Sequence, residues 1–348
     1  MTIPFLSFVS LKDRTFLSRQ LATMIGSGIP LVEALKVLLL QTRNPVVKQA
    51  LVEIVHDIES GLSFSSAIDR QPKIFSKIYV AVSRSGEASG RLEDVLLQLA
   101  DNIEKENSMA GKVRGAMIYP AFIMTAMVGV AMLMMVRVMP QLRAIFSESN
   151  LELPITTRIL LITSDFMVKY WWLVIILMVG AVVGLGAYIK TPTGTLLLNH
   201  LQVRLPANLG EDLYMSRFTR TMSMLVKAGL PIIQALEITS QVMNNKIYQA
   251  SLIQAQADVG RGLPLSVTLS QNRYYPKIVT QMILVGEQTG RLDQLLEKLA
   301  IYYENELDTK VKGISTLIEP LIIVILGIGV AFLVISVLMP IYNLTQLQ

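Results

Sequence analysis

The sequence predicts an all-α integral membrane protein that contains two repeated helical bundles, of about six helices each, and three transmembrane helices. Three observations support this fold class. The 348 residues are 52% hydrophobic and 16% charged, three long stretches carry no charge, and a polar segment with helical periodicity occurs twice. Because a soluble domain is about 25% charged, this composition indicates a chain with membrane-embedded parts.

The three uncharged stretches are long enough to cross a bilayer. They read GAMIYPAFIMTAMVGVAMLMMV from Gly115, YWWLVIILMVGAVVGLGAYI from Tyr170 and PLIIVILGIGVAFLVISVLMPI from Pro320. About 20 helical residues, at 1.5 Å each, span the roughly 30 Å hydrocarbon core of a membrane. The sequence therefore predicts transmembrane helices at 115–139, 170–189 and 320–341.

The repeat is clearest in two stretches about two hundred residues apart. SGEASGRLEDVLLQLADNIEKE begins at Ser85 and VGEQTGRLDQLLEKLAIYYENE begins at Val285, and ten of their 22 positions are identical without a gap. A GE-x2-GRL motif is common to both; its residues are Gly86, Glu87, Gly90 and Arg91 in the first copy and Gly286, Glu287, Gly290 and Arg291 in the second. Self-similarity on this scale indicates one structural unit used twice.

The similarity extends over residues 15–140 and 216–340. An R-x-L/M-x6-G-x-P-x3-AL pattern occurs at 19–35 and again at 220–236. Each copy therefore consists of a polar segment followed by one apolar stretch. The resulting domain boundaries are a first helical domain at 1–114, a second helical domain at 190–319, a loop at 140–169 and a short tail at 342–348.

Both polar segments have the periodicity of helices. In the first copy apolar residues occur at 92, 95, 96, 99, 100 and 103, which is the i, i+3, i+4, i+7 pattern of one helical face. Gly28, Gly61 and Gly86 are predicted to end helices, and Asn44-Pro45 is predicted to lead into a further helix.

The GE-x2-GRL motif predicts a corner between two helices. We expect Gly86 to end one helix in the left-handed conformation and Gly90 to start the next. Glu87 precedes Arg91 by four residues, so this pair is predicted to clamp the turn. The same roles are expected of Gly286, Gly290, Glu287 and Arg291. Two interpretations stay open: the corner stabilises the fold alone, or it presents a charged contact to a partner, in which case Glu87→Gln leaves the fold intact and weakens assembly.

Pro120 and Pro320 open a P-x19-P pattern that occurs at 120–140 and 320–340. In a continuous helix a proline removes one backbone hydrogen bond and bends the axis. Both residues are therefore predicted either to kink their helices or to begin them.

The middle span has no counterpart in the repeat, and it determines the topology. With three crossings, both helical domains lie on one side of the membrane, and the loop and tail lie on the other. Lys310 and Lys312 precede the third span, and no charge follows it. The positive-inside rule therefore places both domains in the cytoplasm.

Several kinds of chemistry have no support in the sequence. The chain lacks cysteine, has no GxxxxGK[ST] phosphate loop, and has only two histidines, His56 and His200, one in each predicted helical domain. We therefore expect no catalytic site, no metal site and no cofactor, and no basic run indicates direct nucleic-acid binding. The span interiors contain no Asp, Glu, Lys or Arg, which argues against ion transport. A membrane transporter or channel subunit is the alternative function.

These motifs resemble those of a known family, the inner-membrane platform proteins of bacterial type IV pilus and type II secretion machines (protein F, or PilC-like). The resemblance is carried by the two repeated patterns, the proline frame, and the sequence LPITT within 151–167, which is similar to an LP-x2-T loop of the family. The order and spacing of these features cover nearly the whole chain.

The resemblance implies a non-enzymatic scaffold in the bacterial inner membrane, with both large domains in the cytoplasm. Such a scaffold couples a cytoplasmic assembly ATPase to the extraction and polymerisation of pilin or pseudopilin subunits. The resemblance further implies contacts with other inner-membrane assembly proteins and homo-oligomerisation. It does not specify which machine the chain serves.

Overall fold

A computed structural model describes residues 9–138 and 208–346, together with isolated positions between 162 and 195. Within these residues all regular structure is helical, and the two long ranges each contain a series of six α-helices. The predicted all-α fold class is therefore confirmed, as is the expectation of about six helices in each half.

The first series comprises α1 (Leu11–Gly26), α2 (Leu31–Gln41), α3 (Pro45–Glu59), α4 (Phe64–Asp69), α5 (Lys77–Ala88) and α6 (Leu92–Leu133), followed by a π-helical turn at Met134–Val138. The second comprises α7 (Leu209–Lys227), α8 (Ile232–Val242), α9 (Lys246–Gly260), α10 (Leu265–Ser270), α11 (Lys277–Thr289) and α12 (Leu292–Gln346). In both series a very short fourth helix precedes the corner motif, and a very long sixth helix follows it.

Asparagine side chains begin the third helix of each series. Asn44 Oδ1 accepts a hydrogen bond from the Val46 backbone N at 3.0 Å, and Asn245 Oδ1 accepts one from the Ile247 backbone N at 2.9 Å. These caps satisfy backbone donors that have no partner within the helix. The predicted turn at Asn44-Pro45 is confirmed as the start of α3.

Glycines end three helices in each series. Positive φ angles between 69° and 93° occur at Gly28, Gly61 and Gly90 and at their counterparts Gly229, Gly262 and Gly290. Only glycine takes this left-handed conformation without a steric penalty from Cβ. The predictions for Gly28 and Gly61 are therefore confirmed, whereas the third helix end is at Gly90 and not at Gly86.

The first part of each sixth helix closes the core of its bundle. Leu96, Leu99 and Ala100 of α6 are almost fully buried, as the predicted apolar face requires. Their counterparts on α12 are Leu296, Leu299 and Ala300, which are equally buried. Full burial of one leucine side chain contributes about 1.5–3 kcal/mol, so this face is a main source of bundle stability.

The residues group into two compact units. One unit comprises Met1–Lys112 and Asn199–Thr309 and contains both bundles. The other comprises Val113–Leu198 and Lys310–Gln348. In this second unit apolar side chains such as Phe122, Val130 and Ile328 are exposed.

One of the described helices is long and apolar enough to cross a membrane, in its Leu92–Val130 portion, and Pro320–Ala331 is a shorter apolar portion of α12. The predicted middle span at 170–189, the loop at 140–169 and the LPITT sequence lie largely outside the described residues. The three-span topology stays a prediction.

Both prolines of the frame lie inside continuous helices, Pro120 within α6 and Pro320 within α12. The interpretation that they begin their helices is therefore wrong. The kink at each proline stays a prediction.

Candidate functional site

The repeated corner begins where α5 ends. The Arg91 backbone N donates to the Gly86 carbonyl O at 2.7 Å, and the Gly90 backbone N donates to the Glu87 carbonyl O at 3.3 Å. With Gly90 at φ 69°, this is the Schellman arrangement of a helix C-terminus. The prediction that Gly86 and Gly286 take the left-handed conformation is wrong, and so is the prediction that Gly90 and Gly290 start the next helix.

The first glycine of the motif serves a close approach between two helices. A Cβ atom on Gly86, which lies within α5, would overlap the side chain of Val95 on α6. On Gly286 it would lie 2.9 Å from the Leu292 Cα, a backbone atom that cannot rotate away. The absence of a side chain therefore lets the corner close tightly in both bundles.

Glu87 caps the short helix α4. Its Oε1 accepts a hydrogen bond from the Phe64 backbone N at 2.7 Å, and its Oε2 accepts from the Ser65 backbone N at 3.1 Å and from Ser65 Oγ at 2.7 Å. The first N–H groups of a helix lack intrahelical partners and lie at the positive end of the helix dipole. A half-buried carboxylate at this place makes charge-assisted hydrogen bonds.

Glu287 makes the same contacts in the second bundle. Its Oε1 accepts from the Leu265 backbone N at 2.6 Å, and its Oε2 accepts from the Ser266 backbone N at 3.2 Å and from Ser266 Oγ at 2.5 Å. The motif is thus a device that fixes the fourth helix of each bundle against the fifth.

The predicted clamp between Glu87 and Arg91 is wrong, because the carboxylate is directed to α4. Arg91 Nε instead donates to Asp94 Oδ2 at 2.9 Å, and the arginine side chain is 65% exposed. Arg291 is exposed as well. The glutamate of the motif therefore stabilises the fold, whereas the arginine of the motif is the charged residue that is exposed to solvent.

A second repeated pair was missed by the sequence analysis. Arg19 on α1 donates from Nε to Glu104 Oε1 on α6 at 2.7 Å, and Arg220 on α7 forms the equivalent ion pair with Glu304 on α12. The sequence contains a signal for this pairing, because an arginine and a glutamate occur at matched positions in both copies of the repeat. Their separation of 85 residues in the first copy hid the pairing.

The ion pair ties the first helix of the bundle to the last. Arg19 also contacts Asp101 at 2.5 Å, so one guanidinium bridges two carboxylates of α6. The hydrogen bond from Arg19 lowers the pKa of Glu104, which precedes the predicted span at 115–139. The pair therefore stays ionised at neutral pH.

The two bundles contact each other through the helix that carries the motif. On α5, Ser85 Oγ donates to the Ala228 carbonyl O at 2.5 Å, and Lys77 Nζ donates to Gln241 Oε1 at 3.0 Å. These partners lie at the end of α7 and on α8. The sixth helices are joined by an ion pair between Lys112 Nζ and Asp308 Oδ1 at 2.9 Å.

Among the residues that the structure describes, no group of three or more His, Cys, Asp or Glu side chains is arranged to hold a metal ion. The arrangement at the corners consists of helix caps, ion pairs and close helix contacts. These contacts fix the positions of helices, and therefore of the surfaces that the helices carry.

Comparison with known proteins gives a consistent result. The family model described as "Type II secretion system (T2SS), protein F" matches twice, at residues 17–140 and 218–340, which are the two copies of the repeat. A type IV pilus assembly protein PilC of Thermus thermophilus is 37% identical over 337 residues, covering 96% of this chain and 83% of the relative. A type II secretion system protein F of Xanthomonas campestris is 34% identical over 337 residues, covering 94% of this chain and 82% of the relative.

Proposed function

Because the chain belongs to the type II secretion system protein F family, we propose that it is a membrane platform of a type IV pilus or type II secretion machine. The family model matches more than half of the chain, and similar relatives carry names from both kinds of machine. The proposal therefore covers both machines.

The proposed task of the platform is to couple a cytoplasmic assembly ATPase to the extraction and polymerisation of pilin or pseudopilin subunits. The observation that supports this task is the repeated corner, because it gives two touching bundles the same capped helix and the same exposed arginine. A surface fixed by charge-assisted caps and buried helix contacts moves as one body. Two such surfaces in one unit suit the transmission of a displacement.

The platform is proposed to have no enzymatic activity of its own. No phosphate loop occurs in the sequence, so the hydrolysis of ATP belongs to a separate protein. The proposed location is the bacterial inner membrane, with three spans and both bundles in the cytoplasm. The parity of the three apolar stretches and the lysines before the third stretch support this orientation.

The proposal is tested by deleting the gene in its host and measuring surface pili and secreted protein. We expect a loss of one output, restored by the wild-type chain; normal levels of both outputs in the deletion strain would contradict the platform role. The purified chain is expected to show no ATP turnover. Turnover that persists after every copurifying ATPase has been removed would contradict the non-enzymatic role.

The coupling is tested separately with charge reversals at the corners. We expect Arg91→Glu combined with Arg291→Glu to weaken binding of the assembly ATPase to the full-length chain in nanodiscs. Arg261→Glu is the matched control, because Arg261 is 74% exposed and pairs with Asp258 three residues away, as Arg91 pairs with Asp94. Equal binding by the double variant and the control would contradict a role of the corners in coupling.

A further inference from the structure

The contact between the bundles uses a different surface of each bundle. From the first bundle the contacting residues are Lys77 and Ser85; with Ile78, Ala81 and Arg84, which lie on the same side of α5, they define the α5 face. From the second the contacting residues are Ala228 and Gln241; with the neighbouring Gly229 and Ile238 they define the α8 corner. Hydrogen bonds from Ser85 to Ala228 and from Lys77 to Gln241 join the two surfaces.

Each bundle also carries the counterpart of the other's contact surface. In the second bundle the counterpart of the α5 face is the α11 face, defined as Lys277, Ile278, Gln281, Leu284 and Val285. In the first bundle the counterpart of the α8 corner is the α2 corner, defined as Ser27, Gly28, Val37 and Leu40. In a two-fold arrangement these two surfaces would cover each other as well.

The α11 face and the α2 corner do not cover each other within the chain. Val285, the counterpart of Ser85, is 48% exposed, and Leu40, the counterpart of Gln241, is 85% exposed. The contact between the bundles is therefore heterologous, and one copy of each contact surface stays uncovered.

At two of the positions that form the hydrogen bonds of the covered contact, the uncovered surfaces carry apolar residues. On the α11 face, Leu284 and Val285 stand where the α5 face has Arg84 and Ser85, and Ile278 is exposed beside them. All three lie on the side of α11 opposite to its buried residues, which are Val279, Thr280, Ile283 and Gly286. Single exposed apolar residues need no explanation, but a group at the position of a known contact surface indicates an interface.

In the α2 corner one position shows the same change. Leu40 replaces the polar Gln241 of the α8 corner, and Val37 is exposed next to it on the same side of α2. An ordinary solvated surface would favour polar residues at both places. Val285 and Leu40 are thus apolar where their counterparts Ser85 and Gln241 make the hydrogen bonds of the covered contact.

We propose that the α11 face of one copy packs against the α2 corner of a second copy of this chain. The contact repeats, between chains, the geometry by which the α5 face packs against the α8 corner within one chain. Each copy then contributes one surface to each of two neighbours. A heterologous contact of this kind continues beyond two chains, into a closed ring or an open helical array in which first and second bundles alternate.

The absence of cysteine from the chain makes a direct test possible. Full-length Leu40→Cys and Lys277→Cys variants, whose counterparts Gln241 and Lys77 are hydrogen-bonded within the chain, are given different tags, expressed together and treated in their membranes with a short bis-maleimide. We expect a cross-linked band at twice the mass of one chain that carries both tags, and little cross-linking of either variant alone.

A matched control pair is Val52→Cys with Ile253→Cys. These residues lie outside the proposed contact surfaces, occupy equivalent positions of the two bundles and are 50% and 51% exposed. Cross-linking of Leu40→Cys with Lys277→Cys no stronger than that of the control pair would overturn the proposal. Cross-linking of either variant only with itself would also overturn it, because that result indicates a two-fold contact.

Two further measurements complete the test. A single chain with both Leu40→Cys and Lys277→Cys should give a ladder of bands beyond the dimer, and a ladder that stops at the dimer would contradict the head-to-tail arrangement. Leu40→Asp should reduce the mass of the detergent-solubilised assembly, whereas Val52→Asp should not. Both readouts are made without the ATPase or pilus output, so their failure is distinct from a failure of the proposed platform function.

Discussion

At the scale of single residues, the two glycines of the corner motif have different physical roles although they lie four positions apart. Gly90 has a φ of 69° and open space where a Cβ would be placed, so its role is conformational. Gly86 has ordinary helical geometry inside α5, and its role is to leave room for Val95. Motif spacing alone does not distinguish a backbone requirement from a packing requirement.

Because the two glycines have different roles, we expect Val95→Ala to couple to a substitution of Gly86 and not to one of Gly90 in double-mutant cycles. We expect Gly86→Ala to destabilise the first bundle by about 1–3 kcal/mol through overpacking, and Val95→Ala to recover part of that loss because it removes the overlapping methyl groups. Gly86→Val destabilises for the same steric reason and not because of a strained backbone. The measurement is urea unfolding of the full chain in detergent.

Gly90→Ala is the control for this cycle. It should cost about 1–2 kcal/mol through the left-handed conformation, and Val95→Ala should give no recovery, since nothing contacts a Cβ at that position. Equal coupling of Val95→Ala to both glycine variants would contradict the assignment of two roles.

At the scale of helices, α4 depends on a residue outside itself. It contains six residues, too few for an isolated helix to be stable in water. The Glu87 carboxylate and the buried side chains of Phe64 and Ile68 hold it in place. The corner motif is therefore an anchor for this short helix as much as a turn between α5 and α6.

The cap predicts a local effect of Glu87→Gln. A glutamine offers one acceptor oxygen and places an NH2 group against a backbone N–H donor, so we expect the cap to lose about 1–2 kcal/mol. Hydrogen–deuterium exchange of the α4 amides should become faster while exchange in α2 stays unchanged. Glu106→Gln, at an exposed position of α6, should leave α4 unaffected.

This outcome differs from the expectation that Glu87→Gln leaves the fold intact and weakens assembly alone. If α4 exchange were unchanged and only assembly were reduced, the interpretation of the corner as a charged contact site would apply to the glutamate itself. On the present geometry that interpretation applies to Arg91 and Arg291, which are exposed.

At the scale of the whole molecule, the two bundles share one compact unit and contact each other through α5, α7 and α8. Because the bundles touch, we predict that they lie on the same side of any membrane that the chain crosses. This prediction requires an even number of crossings between the first and the second bundle.

Cysteine labelling checks this topology. With a membrane-impermeant maleimide, we expect Val52→Cys and Ile253→Cys to react in inverted vesicles and not in intact cells treated to permeabilise only the outer membrane. Ser147→Cys in the predicted loop at 140–169 should show the opposite pattern. Labelling of Val52→Cys and Ile253→Cys from opposite sides would refute the shared compartment.

Local signals in the sequence determined the all-α class, the two copies of the repeat, the apolar face of α6 and the helix ends at Gly28 and Gly61. The repeat follows from comparing two stretches of the chain, and the others follow from periodicity or from the backbone freedom of one residue, so no knowledge of tertiary packing is needed to predict them. The partners of Glu87 and Arg19, the packing role of Gly86 and the heterologous contact of the bundles were decided by the tertiary structure. Those contacts depend on how helices far apart in sequence pack, and helical periodicity contains no information about which partner a polar side chain meets.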